Sequence, residues 1–123
     1  MNTKYFKYIV SFALLTVGFS MTSLAQGNRP VTVEFFVDGT CDMCEERIEK
    51  ALDVKGVLYA DYELDEHKLE VTYKPHKISE EKIHKLLNAV GHDTEKSKAS
   101  DAEYNAIHHC CKYRDHDCSK GGH

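Results

Sequence analysis

The chain has 123 residues, which is enough for one small domain and too few for a two-domain enzyme with a cleft between its halves. Its 41% hydrophobic and 29% charged residues are typical of an ordinary globular protein. The formal net charge of −4 argues against the basic surface of nucleic-acid-binding domains, so we expect no nucleic-acid partner.

Residues 1–25 have the pattern of a signal peptide. Lys4 and Lys7 give a positive start, and an apolar stretch runs from Ile9 to Phe19. Residues 23–25 then supply small residues at the two positions that a signal peptidase reads. The stretch is short and contains Ser and Thr, which disfavours a permanent membrane span. We predict cleavage after Ala25 and a periplasmic or secreted protein without membrane association. An uncleaved anchor is the alternative.

Residues 26–30 form a short linker, and residues 31–98 have the pattern of one domain. Apolar alternation predicts a first strand through Val31, Val33, Phe35 and Val37. Helical spacing of Cys44, Ile48, Ala51 and Leu52 predicts a helix that ends before Gly56. A second strand is predicted from Val57 to Leu64, and a third through Leu69, Val71 and Tyr73.

The next helix has the clearest start signal, because Ser79 is a good N-cap and Glu80 and Glu81 suit the positive end of a helix dipole. Residues 93–99 are long enough for a fourth strand, although their pattern is weak. Ser100 and Glu103 match a capping box and predict a short helix over 101–109. Residues 99–123 form an appendix that we expect to be loose from position 110 onward.

The order βαββαβ plus an appendix predicts an α+β fold. Two helices cannot cover both faces of so small a sheet. We therefore expect both helices on one face of a four-stranded antiparallel sheet, which is the ferredoxin-like sandwich.

Cys41 and Cys44 lie where a strand and its turn lead into a helix. Free N–H groups at a helix start stabilise thiolates, while Asp42, Glu45 and Glu46 oppose this with negative charge. Two exposed thiolates suit a soft ion, Cu(I) above all, which accepts two or three sulfur ligands. Structural Zn(II) normally takes four ligands and would need more than this pair.

The cysteine count leaves the oxidation state open. Five cysteines cannot all pair within one molecule. In an exported protein the default for paired cysteines is a disulfide. Either one thiol is free, or several thiols bind a metal ion that protects them.

Residues 31–98 resemble the heavy-metal-associated domain of copper chaperones, metal-ATPase amino-terminal modules and periplasmic mercury-binding proteins. The matching stretches occur in the family's order: residues 37–44, 47–52, 56–57 with Ala60 and Leu64, 71–75 and 89–93. By this resemblance Cys41 and Cys44 are the metal thiolates, and Tyr62, Leu64 and Val71 are core residues. The resemblance also implies Hg(II) as a further candidate ion beside Zn(II), and a metal-transporting ATPase or other metal-accepting protein as partner.

The chain departs from the family at two places near the expected metal. The family's usual Gly-Met-Thr-Cys is here Gly39-Thr40-Cys41, so the Met that anchors the loop in the core is missing, and Met43 lies between the cysteines. The family commonly has an aromatic residue or Lys where this chain has His92. His92 could supply a third, nitrogen ligand or a proton-sensitive neighbour for the thiolates, and a solvent-exposed loop residue is the alternative.

The appendix contains a second group of metal-ligand residue types within eleven residues: His108, His109, Cys110, Cys111, His116 and Cys118. They form either a second metal site or ligands that fold back to complete the Cys41/Cys44 site. The alternative is a disulfide from Cys118 to Cys110 or Cys111, because the adjacent pair cannot bond to each other without strain. The remaining histidines, His67, His76 and His84, are expected to be ordinary exposed residues.

The sequence therefore predicts a non-enzymatic, exported metallochaperone or scavenger that binds a thiophilic ion and passes it on by ligand exchange. The alternative is a thiol–disulfide oxidoreductase that uses Cys41 and Cys44. The strand-first order is not thioredoxin-like, which counts against that alternative. A disulfide-stapled structural domain is a third interpretation, and it stays open for the appendix.

Overall fold

The computed structural model of the protein describes residues 28–114, so the predicted signal peptide lies outside the described residues. Strand β1 spans Val31–Phe36 and is followed by helix α1, Asp42–Ala51. The elements that follow are β2 (Val57–Glu63), β3 (Lys68–Tyr73), α2 (Glu80–Ala89), α3 (Asp101–Ala106) and a 3-10 helix at His109–Cys111. Within residues 28–114 there is no helix long and apolar enough to span a membrane.

The sheet is antiparallel, with strand order β1–β3–β2. Its central strand alternates regularly: Leu69, Val71 and Tyr73 are buried, while the residues between them are half-buried. Val71 pairs with Val33 of β1 on one side and with Ala60 of β2 on the other. The period-2 pattern thus places one apolar face of the sheet toward the helices, as predicted.

The helices cover this face and close a single core. Ile48 and Leu52 of the α1 region and Ile83 and Leu87 of α2 are at most 2% exposed. The core also contains Phe35, Val37, Tyr62 and Val71 from the sheet side, with Leu64 packed against it. The expected α+β sandwich is confirmed, and Tyr62, Leu64 and Val71 lie where the family resemblance implied.

The fourth strand is not confirmed, because the described sheet has three strands. In its place a single antiparallel bridge joins Val37 to Thr94 at the edge of β1. The chain then turns away: the Thr94 N–H donates to Ser97 O at 2.8 Å, and the Ser97 hydroxyl donates to Asn88 Oδ1 at 2.6 Å. The first bond uses backbone groups that a longer ladder would have used, and the second stabilises the turn through side chains.

His84 is buried, with 1% of its surface exposed, so the expectation that it is an exposed residue is wrong. Its ring lies 4.2 Å from that of Phe35, and its Nδ1 is 2.8 Å from Thr94 Oγ1. The hydrogen bond lets a polar side chain lie in the core beside α2. His76 is exposed and His67 is half-buried.

Both predicted helix caps are present. The Ser79 side chain accepts from the Lys82 N–H, and Ser100 and Glu103 form a reciprocal capping box. Helix α3 is shorter than predicted because Ile107 is extended and turns its side chain into the core, where it is 6% exposed.

The start of the appendix is packed, contrary to the expectation that the chain is loose from Cys110 onward. Cys111 is fully buried, and the Tyr113 hydroxyl donates to Gly91 O at 2.6 Å and accepts from the Asp93 N–H at 2.8 Å. The Arg114 guanidinium holds the Asp93 carboxylate with two hydrogen bonds, at 2.9 and 2.5 Å. We call these contacts of Tyr113 and Arg114 the appendix clasp.

Gly91 accepts a hydrogen bond from Tyr113 of the appendix clasp and lies against Ile107. Substitution of Gly91 tests the packing of the appendix on the domain. Its φ of +92° is left-handed, and an added Cβ would lie 2.4 Å from Ile107 Cγ2 and 2.9 Å from Glu103 O. We expect Gly91→Ala to lower the free energy of unfolding by more than about 1 kcal/mol, measured by urea denaturation. Ala102→Ser, at an exposed site on α3, is the control and should change it by less than about 0.5 kcal/mol. Equal stability of Gly91→Ala and the unmodified protein would contradict this packing.

Candidate metal centre

The loop that carries the first cysteine is anchored without the Met that the family uses. The Tyr62 hydroxyl donates to Val37 O at 2.9 Å, and burial raises the pKa of Tyr62, which keeps this donor protonated. A Cβ on Gly39 would lie 2.8 Å from the Tyr62 hydroxyl oxygen, so only glycine lets the loop pass this close. The Asp38 N–H donates to Asp93 O at 2.9 Å. The tyrosine and these backbone contacts therefore take over the anchoring role.

Three thiols meet at the start of α1. Cys41 Sγ lies 3.4 Å from Cys44 Sγ and 3.2 Å from Cys111 Sγ. All three sulfur atoms are within 4.8 Å of one another, and we call them the thiol cluster. Cys44 and Cys111 are fully buried, whereas Cys41 is half-buried and connects the cluster to the surface.

The clasp accounts for the position of Cys111. Tyr113 and Arg114 come two and three residues after Cys111 and are hydrogen-bonded to Gly91 and Asp93. The Thr40 hydroxyl donates to Cys110 O at 3.2 Å. Burial alone would raise the pKa of Asp93, but hydrogen bonds from Arg114 and the Ala99 N–H lower it overall. The Asp93 carboxylate is therefore charged at neutral pH and pairs with a permanent cation.

The three thiols differ in their readiness to ionise. Burial of Cys41 opposes its ionisation, but the Cys111 and Cys44 thiols and the backbone N–H groups at the start of α1 outweigh it and lower the Cys41 pKa. Burial raises the pKa of Cys44 and of Cys111, and the neighbouring Cys41 charge adds to both shifts. Cys41, the thiol nearest the surface, is therefore the one that ionises most readily, and the two buried thiols hold their protons more firmly.

His92 is neither the exposed loop residue nor a member of the cluster. It is fully buried, its Nδ1 donates to Asp38 O at 2.7 Å, and its ring stacks on Tyr113 at 5.8 Å. Burial lowers the pKa of His92, so the imidazole is neutral. Its contacts hold the Asp38 backbone of the loop against the clasp, which is a positioning role.

The other appendix candidates separate into different places. Cys110 points away from the cluster, with its Sγ 3.0 Å from His108 Nδ1 and 3.9 Å from Met43 Sδ. His109 is exposed and its ring lies 4.8 Å from the His108 ring. His116 and Cys118 lie outside the described residues. Among the appendix candidates within residues 28–114, Cys111 is the one whose sulfur lies beside those of Cys41 and Cys44.

The sequence analysis missed the clasp. Tyr113, Arg114 and Asp93 lie up to twenty-one residues apart, and no periodic pattern links them. The only local signal was the helix start at Ser100, which brings the chain back toward the domain.

A cluster of three sulfurs can bind a soft ion in a three-coordinate site. Thiolates select Cu(I) and related thiophilic ions over hard cations, which prefer oxygen. Because the ligands must be deprotonated, binding would displace the protons of Cys44 and Cys111, and affinity would rise with pH. Because two of the sulfurs are buried, an ion held there would be reached by solvent mainly from the Cys41 side.

Comparison with known proteins agrees with the resemblance to the heavy-metal-associated domain. A model of the heavy-metal-associated domain matches residues 34–93. A copper-binding domain from HMA7, a P-type ATPase, is 30% identical with a TM-score of 0.50, and the match covers 52% of this chain and 89% of that chain. No match is found among curated protein sequences.

Two further solved structures are similar. The CopZ metallochaperone is 26% identical with a TM-score of 0.50, covering 52% of this chain and 98% of that chain. Oxidized MerP from Ralstonia metallidurans CH34 is 29% identical with a TM-score of 0.52, covering 55% of this chain and 96% of that chain. The family match stops at residue 93, so Cys111 and the clasp residues Tyr113 and Arg114 lie beyond it.

The burial of His84 and His92 leads us to expect a lower free energy of unfolding in mild acid. Burial lowers the pKa of His84 and of His92 below the ordinary value of 6.5. As pH falls below 6.5, the unfolded chain takes up protons that the folded protein does not, so the free energy of unfolding decreases. Urea denaturation of the reduced protein at pH 7 and pH 5 measures this decrease. His84→Gln should reduce the pH dependence, and His76→Gln, at an exposed site, should leave it unchanged. An unaltered pH dependence in His84→Gln would contradict this account.

Proposed function

The chain belongs to the heavy-metal-associated domain family, and from that premise we propose that it is a Cu(I)-binding carrier whose site is the thiol cluster of Cys41, Cys44 and Cys111. The observation that carries the proposal is the placement of Cys111 Sγ at 3.2 Å from Cys41 Sγ. The cysteine pair comes from the family domain, and the third sulfur comes from the appendix.

The charges of the cluster fit a monovalent soft cation. Cys41, whose pKa is lowered, is the thiol that most readily gives the incoming ion an anionic ligand near the surface, and the buried thiols lose their protons as they bind. A three-sulfur set is short of the four ligands that structural zinc takes, which favours Cu(I) over Zn(II). Hg(II), equally thiophilic, is a competing cargo.

Transfer would proceed by ligand exchange. A thiolate of an accepting protein attacks the bound Cu(I) from the Cys41 side, forms a new Cu–S bond, and one protein Cu–S bond breaks. The ion stays Cu(I), and the released cysteine takes up a proton. The similarity to a P-type ATPase domain supports a metal-transporting ATPase or another metal-accepting protein as partner. No substrate is chemically changed, so the proposed role is not enzymatic.

The proposal also includes export, which is inferred from the sequence of residues 1–25. Cleavage after Ala25 would release a carrier that works in the periplasm or outside the cell. Cleavage removes two lysines and no acidic residue, so the released protein is more acidic than the whole chain.

Anaerobic Cu(I) titration of the reduced protein against a chromogenic chelator tests the site. Cys41→Ser/Cys44→Ser should lose the tight equivalent. Cys111→Ser should keep the tight equivalent but lower its affinity for Cu(I) at least about tenfold. Mutation of residues that only orient metal ligands already lowers metal affinity by about that factor.

Cys110→Ser is the matched control, because Cys110 neighbours Cys111 but lies outside the thiol cluster, and it should leave the tight affinity unchanged. Full affinity in Cys111→Ser would remove the third ligand from the proposal, and full affinity in the double variant would overturn the site. A protein that binds no Cu(I) yet catalyses dithiol oxidation through Cys41 and Cys44 would instead support the oxidoreductase alternative.

Expression of the full chain in a bacterium tests export. We expect the protein in the periplasmic fraction, with Gln26 as its first residue by mass spectrometry. Ala25→Arg should block processing, because the peptidase needs a small residue there. Retention of residues 1–25 in the unmodified protein would indicate the uncleaved anchor.

A further inference from the structure

Two segments of the chain each carry sulfur atoms that point inward and one that points outward. At the start of α1, the thiols of Cys41 and Cys44 belong to the thiol cluster, while Met43 between them is 46% exposed. In the 3-10 helix, Cys111 is fully buried while its neighbour Cys110 is half-buried and faces away. The two outward sulfurs meet, with Cys110 Sγ 3.9 Å from Met43 Sδ.

A nitrogen donor completes this outward group. His108 Nδ1 lies 3.0 Å from Cys110 Sγ and accepts the Cys110 N–H as the cap of the 3-10 helix. An imidazole nitrogen that accepts a hydrogen bond can bind a metal ion through the same lone pair, in place of that hydrogen bond.

We propose that Met43, His108 and Cys110 form a second site for a soft monovalent cation, on the surface beside the thiol cluster. We call this group the outer site. The inference rests on the proposed function only in the identity of the cargo, since the thiol cluster and the outer site share no ligand.

The distances fit one ion. Metal–sulfur bonds are about 2.3 Å long, so two sulfurs on the same ion can lie up to about 4.6 Å apart. The Met43 to Cys110 distance is within that limit, and the His108 to Cys110 distance is shorter still. Cys110 is therefore close enough to share a cation with Met43 and with His108.

The donor chemistry predicts an affinity below that of the thiol cluster. The outer site offers one thiolate, one neutral thioether and one neutral imidazole, whereas the cluster offers three sulfurs that can become thiolates. All three outer donors suit Cu(I) or Ag(I), because thioether and thiolate are soft and imidazole is borderline. The outer site is also exposed, so ions there exchange with solvent more readily than ions in the cluster.

Titration of the reduced protein with Ag(I), a redox-inert analogue of Cu(I), tests the outer site. The methionine methyl groups are labelled with carbon-13 and followed by NMR. We expect the first equivalent to leave the Met43 resonance in place and the second to shift it. In Cys41→Ser/Cys44→Ser the first equivalent should already shift Met43, which separates failure of the outer site from failure of the cluster.

Variants of the donors make the test specific. Cys110→Ser and His108→Gln should lower the affinity for the second Ag(I) at least about tenfold while keeping the first equivalent. His109→Gln is the matched control, since His109 neighbours His108 and should leave both equivalents unchanged.

Three results would overturn the proposal. They are a Met43 resonance that stays unshifted through two equivalents, a second equivalent that survives in Cys110→Ser, and a second equivalent that is lost in Cys118→Ser while the Met43 resonance never moves.

Discussion

The structure depends on the ion pair between Arg114 and Asp93, because it fixes the appendix to the domain. Asp93 ends the stretch that the family model matches, and Arg114 comes three residues after the third cluster cysteine. The pair is partly shielded, with 25% and 11% of the two side chains exposed, and its geometry is bidentate. Bidentate arginine–carboxylate contacts fix orientation as well as distance. Together with the hydrogen bonds of Tyr113 and Thr40, the ion pair holds Cys111 against Cys41.

The site therefore has two physical layers. The family domain positions Cys41 and Cys44 through a loop that Tyr62 and Gly39 hold against the sheet. The appendix then adds Cys111 through a separate set of contacts. The appendix contacts residues of the family domain. The loop and the appendix are therefore both attached to the backbone around Asp38 and Asp93.

The sequence was enough to predict the three strands, both main helices and the capping residues, because each depends on local periodicity or a local side-chain bond. It could not predict where the sheet ends. Residues 94–97 form a turn instead of a strand because Asn88 bonds to Ser97, and these two residues approach each other only in the folded chain. His84 and His92 were misjudged for the same reason, because each is buried through a partner distant in the sequence. The appendix cysteines were recognised as ligand types, yet only tertiary contacts decide that Cys111 faces in and Cys110 faces out.

The single bridge between Val37 and Thr94 leaves most of β1 without a neighbour on its outer side among the described residues. Backbone groups of an unpaired strand edge can recruit a strand from another molecule, which leads to aggregation. Here the strand is only six residues long, its outward face carries Glu34 and Thr32, and the Phe36 N–H is taken by the Glu95 carboxylate at 3.5 Å. Shortness and charge thus protect against intermolecular β-pairing at an edge that a complete fourth strand would have covered.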